Sequence, residues 1–509
     1  MKIVLISTPT RTYAPNYIPP LGIMYLASHL RNHGHTVTII DIAKTRPPIK
    51  QTITELKAFN PDLIAISAII TAYRFVKQFV KDIKQSFPSV PVVIGGHIAL
   101  DNVDLLLNHI GVDYVITGYG ELKIAGLADH LSGKLPVEKI PALSYKRNGE
   151  IITNPGDLFF KKIDEAPFPA YDLVDMEYYV TALQSFPKLD RYLKKTKKST
   201  PPIRFMIVIG ARGCTDRCSF CVHEFEHKGF HVHSIDYIMK NIGVLYNNYG
   251  VRIFLMGEDL FLFNTKQAQE FVEVMNKNFP DAYFHCSTRA DYIKPELIDL
   301  MKNSNCFALG YGFESGNDYI LNILGKRMTR ETNIRAYTLI ASSDITAAGS
   351  LMVGSPGETR ETIRDTINAI KEACMIDSAV FITTPYPGSR LYRWCIENGL
   401  IRNKDAYLDF ISDRDAVKLS INFTPYPDVI VKMMKIMVEN ALEDNKRQLD
   451  RNYRIPIIRA IMHHRLVPLL YNGYFDLRRI LGKIIPRYRK ETIDYELNKK
   501  GTVKISSDE

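Results

Sequence analysis

Long apolar runs are missing from this chain. None approaches the ~20 residues that a helix needs to span a bilayer. The opening Met1-Lys-Ile-Val-Leu-Ile-Ser7 is too brief for a secretory signal and lacks a small-residue cleavage site. Cysteine is scarce, with seven in 509 residues and none before Cys214. Four of them, Cys286, Cys306, Cys374 and Cys395, stand singly, which excludes a disulfide framework and suits small buried apolar residues. Internal repeats and low-complexity tracts are absent as well. The expectation is a cytoplasmic protein.

What is present fits a globular chain. Apolar residues make up 46% and charged residues 24%, and the length suggests about three domains. The net charge of +10 is unevenly spread, with much of it in the C-terminal tail.

Residues 1–135 alternate strand and helix signals. Ile3–Ser7, Thr36–Ile40, Leu63–Ser67, Val92–Ile94 and Tyr114–Thr117 read as buried strands. Between the first two, Ile23, Leu26, Ala27 and Leu30 mark one face of a helix opened by Pro19-Pro20. This alternation predicts a Rossmann-like, doubly wound parallel sheet that binds ligands at its strand C-termini. Asp41 could serve a nicotinamide ribose, but the first strand-to-helix loop, Ser7–Asn16, lacks the Gly-x-Gly-x-x-Gly that lets a pyrophosphate approach the backbone.

The three other cysteines are crowded into Gly213-Cys-Thr-Asp-Arg-Cys-Ser-Phe-Cys221. Thiolates favour zinc, copper(I) or iron–sulfur clusters. A structural zinc site closes with four ligands, for which His223 is the nearby fourth. A loop of three cysteines suits a [4Fe–4S] cluster with one iron left open.

This spacing, with Phe220 before the last cysteine, resembles the radical S-adenosylmethionine (radical SAM) signature. The resemblance implies that Cys214, Cys218 and Cys221 hold the cluster and that S-adenosylmethionine binds the open iron. Reductive cleavage would then yield a 5′-deoxyadenosyl radical. It extends through Gly257-Glu258-Asp259, where Glu258 or Asp259 would meet the methionyl amino group. In Gly312-Phe-Glu-Ser-Gly316, Glu314 would accept from the ribose hydroxyls. Arg289 would pair with the methionyl carboxylate or form a surface ion pair. Leu351–Thr359 and Pro385–Ser389 match further family segments, and Thr359 is placed to cap a helix. The expected core, residues 201–400, is a partial TIM-type β/α barrel with the cluster at the C-terminal mouth of its first strand.

Placed ahead of such a core, the first domain resembles the cobalamin-binding domain of cobalamin-dependent radical SAM enzymes. Pro19-Pro20-Leu21-Gly22, Ser67-Ala-Ile, Gly95-Gly96-His97 and Gly118-Tyr-Gly-Glu121 carry the likeness, and Ser67, Gly95, Gly96, Gly118 and Glu121 are its candidate cofactor contacts. The Asp-x-His-x-x-Gly motif that supplies a lower-axial histidine elsewhere is lacking; His97 reads as a hydrogen-bonding or solvated residue. Methylthiotransferases share the core but carry cysteines in the preceding domain, unlike this chain.

Residues 136–200 read as a linker, with a hairpin turning at Asn148-Gly149 and a solvated basic loop at Lys194–Lys198. Residues 401–509 read as helical and basic. Met433, Met434 and Met437 belong to an amphipathic stretch, and Asp476 is the only acid between Arg451 and Lys490. Such a tail suits either an anionic membrane surface or a solvated cap on the barrel. No RNA-binding module stands out, so nucleic acid is not expected. The combined expectation is a C-methyltransferase acting on a small, lipid-like or otherwise hydrophobic molecule, fed electrons by a flavodoxin or ferredoxin. Radical SAM ring closure or rearrangement, and a non-catalytic iron–sulfur or corrinoid-binding protein, are the rival readings.

Overall fold

The computed structural model describes residues 1–11, 16–222, 229–257, 260–413, 416, 418–449, 459–460, 462–484, 494–497 and 503–506. Its first half is a seven-stranded sheet. The strands are β1 (Lys2–Ser7), β2 (Thr36–Asp41), β3 (Leu63–Ser67), β4 (Val92–Gly95), β5 (Tyr114–Ile116), β6 (Leu143–Arg147) and β7 (Glu150–Thr153). They lie in the order β2-β1-β3-β4-β5-β6-β7, with β1 to β5 parallel. A strand buried on both faces needs apolar residues throughout, and β1 supplies them. Ile3 and Leu5 pack with Ile23, Ala27, Leu30 and Ile124 on one face. Val4 and Ile6 pack with Leu56, Val76, Phe79 and Val80 on the other. The chain order reverses between β1 and β3, which opens a crevice beyond their C-termini.

The hairpin at Asn148-Gly149 forms, and its first strand pairs antiparallel with β5, Ile116 opposite Leu143. It therefore extends the sheet rather than lying free. The basic run departs from expectation: Lys194 and Lys195 lie in a helix, Pro187–Thr196. Proline begins that helix, and Leu189, Tyr192 and Leu193 bury one face of it, a spacing that outweighs the charges on the opposite side.

The second sheet joins β8 (Phe205–Val208), β11 (Ile253–Met256), β12 (Tyr283–Ser287), β13 (Cys306–Glu314), β14 (Thr346–Val353) and β15 (Ala379–Ile382). All run parallel in sequence order, curled into a half-barrel. The short strands β9 (Ala211–Arg212) and β10 (His231–Val232) pair antiparallel beside it. Phe186, Leu189, Tyr192 and Leu193 pack on Phe205, Ile253, Tyr283 and Phe307. Those last four sit at the starts of their strands, so the Pro187–Thr196 helix plugs the lower end and leaves the C-terminal mouth for chemistry.

The two halves share a core. Leu391, Tyr392, Trp394, Tyr407 and Leu408, all beyond β15, pack with Tyr73, Val76 and Phe79 of the first half. Tyr73 Oη donates to Asp405 at 2.6 Å, and Lys77 bridges Asp405 and Asp409. The long Asp428–Leu449 helix buries Met434, Val438 and Ala441 against the barrel's helical layer, with Met433 and Met437 partly buried beside them. The methionine face is core. Asp494–Leu497 and Val503–Ser506 form a last antiparallel pair. Among the described residues no helix is long and apolar enough to cross a membrane.

Candidate functional site

The cysteine loop leaves β9 through Gly213, whose φ of +85° is accessible to glycine and strained for other residues. Cys214, Cys218 and Cys221 are half-buried, and the Cys221 N–H donates to the Cys218 carbonyl at 3.2 Å. Residues distant in sequence fasten the loop from three sides. Asp216 is gripped by Arg289 at 2.5 Å and by Arg327 at 2.8 Å. Ser219 donates its N–H to the Leu324 carbonyl and its hydroxyl to the Ile323 carbonyl. Its own carbonyl accepts from the Leu391 N–H at 2.8 Å, while Arg390 donates to the Arg217 carbonyl.

Burial pushes the Cys218 thiol up to about 12, with Lys326 opposing the shift. Among the described residues no three histidine, cysteine or carboxylate groups converge as a single metal ion requires. Three thiolates from one loop fit a [4Fe–4S] cluster with one iron left open. His223, the fourth ligand of the zinc reading, lies outside the described residues, as do Glu258 and Asp259.

At the barrel mouth, Gly257 leaves no room for a side chain, because a Cβ would collide with Ile207. Arg289, its side chain only 10% exposed, is committed to Asp216 and Asp291. Burial opposes its charge, but the hydrogen bonds to these carboxylates hold the guanidinium protonated. It thus forms no surface pair and braces the cysteine loop. Glu314 adopts a left-handed φ of +60°, with Oε1 accepting from Lys326 Nζ at 3.3 Å and Oε2 from Ser350 Oγ at 3.4 Å. A Cβ on Gly312 would strike both Glu314 and Lys326, so glycine there makes the pair possible. His285 lies on β12 near Gly310, where burial pulls its pKa down to about 4 and keeps the ring neutral. Sequence reasoning passed over Lys326, His285 and Asp216, since only their partners mark them.

The first half contributes a cavity of about 550 Å³ outside the C-termini of β1, β3, β4 and β5. Ser67, Gly95, Gly96, His97, Gly118 and Glu121 all line it. Gly96 has a φ of +87°, and a Cβ there would come 2.6 Å from the Ala68 carbonyl, so the chain can pass this closely only as glycine. Gly22 also lines the cavity and has nothing within 4 Å of a would-be Cβ, leaving bare backbone for a bulky ligand. Its far wall comes from the second half, namely Ala211, Arg212, Gly213 and Gly257. Strand ends of both sheets thus meet one mainly apolar chamber, whose wall includes Gly213 next to Cys214. Asp41 does not line it; its carboxyl accepts from Tyr179 Oη instead.

Comparisons with known proteins follow the same division. The B12 binding domain family matches residues 8–128, and the radical SAM superfamily matches residues 208–370. An uncharacterized methyltransferase of Pyrococcus horikoshii, PH0819, is 31% identical over 408 residues, covering 79% of this chain and 84% of its own. An anaerobic magnesium-protoporphyrin IX monomethyl ester cyclase of Rubrivivax gelatinosus is 24% identical, covering 74% of this chain and 66% of its own. Among solved structures, the radical S-adenosylmethionine methyltransferase TsrM from Kitasatospora setae, with cobalamin and a [4Fe-4S] cluster bound, superposes with a TM-score of 0.61. That match is 18% identical and covers 78% of this chain and 75% of the other, a likeness of fold.

Proposed function

The chain belongs to the radical SAM superfamily, among members with a B12-binding domain ahead of the barrel, and on that premise we propose that it methylates an unactivated carbon of a hydrophobic small molecule. The observation that carries this reading is the shared chamber, whose wall runs from Ser67 and Gly96 to Arg212 and Gly213, beside the cysteine loop. A methyl donor and a radical source would then face one another across a few residues. When bound, the cluster supplies the electron that cleaves S-adenosylmethionine, and the corrinoid supplies the methyl group.

The chain's own residues take defined parts. Cys214, Cys218 and Cys221 would hold the cluster, in a loop that Asp216 and Ser219 keep fixed. Gly257, Glu314 and Arg289, with Glu258 or Asp259, would hold S-adenosylmethionine, Arg289 through the loop it braces. Ser67, Gly95, Gly96 and Gly118 would cradle the corrinoid. His97 is the one histidine lining the chamber among the described residues, which suits a corrinoid bound without the Asp-x-His-x-x-Gly histidine. The proposed domain limits lie near 135, 200 and 400, with the Leu143–Thr153 hairpin joining the first sheet across the first of them. A low-potential flavodoxin or ferredoxin would deliver the electron.

The last long helix, Val467–Ile484, supports a hydrophobic substrate and contact with a membrane surface. Leu469, Leu470 and Leu477 are 70%, 48% and 56% exposed, in a region of sequence rich in arginine. The cyclase relative favours a second reading, ring closure. Anaerobic reconstitution with iron, sulfide and hydroxocobalamin decides among these. The wild type is expected to show cluster and corrinoid absorption and to form both 5′-deoxyadenosine and S-adenosylhomocysteine; Cys214→Ala is expected to form no deoxyadenosine. Cluster absorption without retained corrinoid would overturn the cobalamin part, and deoxyadenosine without S-adenosylhomocysteine would overturn methylation in favour of ring closure.

A further inference from the structure

Where the two halves meet, one ion pair crosses the boundary. Glu121 begins the Glu121–Leu131 helix after β5, and Arg212 ends β9, two residues before Cys214. Their side chains are 6% and 9% exposed and lie 2.7 Å apart. Three rings enclose the guanidinium: Tyr25 at 5.0 Å, Tyr119 at 5.2 Å and Phe159 at 5.7 Å from its centre. Glu121, Arg212, Tyr25 and Tyr119 all line the chamber.

Burying two charges is a poor source of stability, because desolvation offsets most of their attraction. What such a pair does well is fix a register. The carboxylate meets the guanidinium at 2.7 Å and three rings pack around it, so the two elements are held in a set register. Arg212 is also the residue through which the cysteine loop reaches the chamber, with its neighbours Ala211 and Gly213 forming the same wall. A cluster held by Cys214 would add one more tie to the loop that ends on Arg212, and through it stiffen Glu121 and the wall behind it. A ligand entering a wall already ordered loses less entropy on binding.

We infer that Glu121 is a positioning residue which, through Arg212, ties the chamber wall to the cysteine loop, so that loading the cluster tightens binding of the corrinoid. This rests on the cobalamin reading above. It assigns Glu121 an indirect part, acting on the cofactor through the arginine. Linkage makes the effect reciprocal, so corrinoid binding also protects the cluster.

The test is a hydroxocobalamin titration of the full-length protein, cluster-free and cluster-loaded, under anaerobic conditions. In the wild type the loaded form is expected to bind about 5-fold or more tightly than the cluster-free form, in the usual range of couplings between sites. In Glu121→Gln the two dissociation constants are expected to converge, with the iron content of the loaded form unchanged. Arg212→Lys keeps the charge but loses the planar guanidinium that the three rings enclose, and is expected to lose most of the difference too; it serves if Glu121→Gln does not fold. Equal constants in the wild type, or an undiminished difference in both variants, would overturn the inference. A pair that merely stabilises the fold would lower the melting temperature and leave the ratio intact, which also overturns it. Failure of both wild-type forms to bind hydroxocobalamin would instead overturn the cobalamin reading beneath.

Discussion

Glu358 shows how much one buried carboxyl can carry. It is 0% exposed, and its Oε2 accepts from the backbone N–H groups of Gly354 and Ser355. Its Oε1 has no hydrogen-bond partner among the described residues. Burial pushes its pKa up to about 8 despite those backbone donors. A carboxyl raised above its unfolded value favours the fold while protonated. Its contribution is complete below the unfolded pKa near 4.5 and is lost as pH rises through 8. The swing is on the order of a few kcal/mol. Glu358→Gln removes it, so the stability of the variant relative to wild type should improve between pH 5 and pH 8. Parallel thermal melts should show a gain of a few degrees, and a pH-independent gap would contradict this. At this scale sequence reading was uneven. The cysteines announced themselves by spacing, whereas Asp216, Lys326 and His285 matter through Arg289, Glu314 and Gly310, which the chain brings together only on folding.

Elements were more legible than their joints. Strands buried on both faces and helices with one apolar stripe each impose a period, and those periods placed β1 to β5, whereas the barrel was legible through the resemblance that the cysteine spacing carries. The start of the Arg360–Glu372 helix was legible as well, because Thr359 caps it in a reciprocal pair with Thr362. Thr359→Ala should cost about 1 kcal/mol, read as a lower urea midpoint with an unchanged slope. β13 was the hard strand. It runs on to Glu314 through Gly310 and Gly312, residues that look like a loop. Those positions face the lumen, where His285 and the Glu314–Lys326 pair occupy the space that side chains on them would take. The Asn148-Gly149 turn signalled a hairpin, but nothing local tells a hairpin that it will dock on β5.

The order of the two halves could be read along the chain; their common core could not. The residues after Leu400, read as a separate tail, return as the Lys404–Ile411 helix to pack on the Tyr73–Ser86 helix. Contacts over such separations leave no periodic trace. The chain's single tryptophan, Trp394, sits in that common core at 3% exposure. Its fluorescence should therefore follow separation of the halves. If the halves stand or fall together, the tryptophan transition in denaturant should coincide with loss of helical circular dichroism. An earlier tryptophan transition would show that they part before either unfolds.

The clamp on the cysteine loop also sets an order in time. Cys214, Cys218 and Cys221 are made well before Arg390 and Leu391, which hold the carbonyls of Arg217 and Ser219. At about 5–20 residues per second, the nascent chain presents three unfastened thiols for on the order of ten seconds before their clasp is synthesised. Iron and sulfide delivered in that interval meet an open loop. Delivered later, they meet a loop already fastened by Arg390 and Leu391.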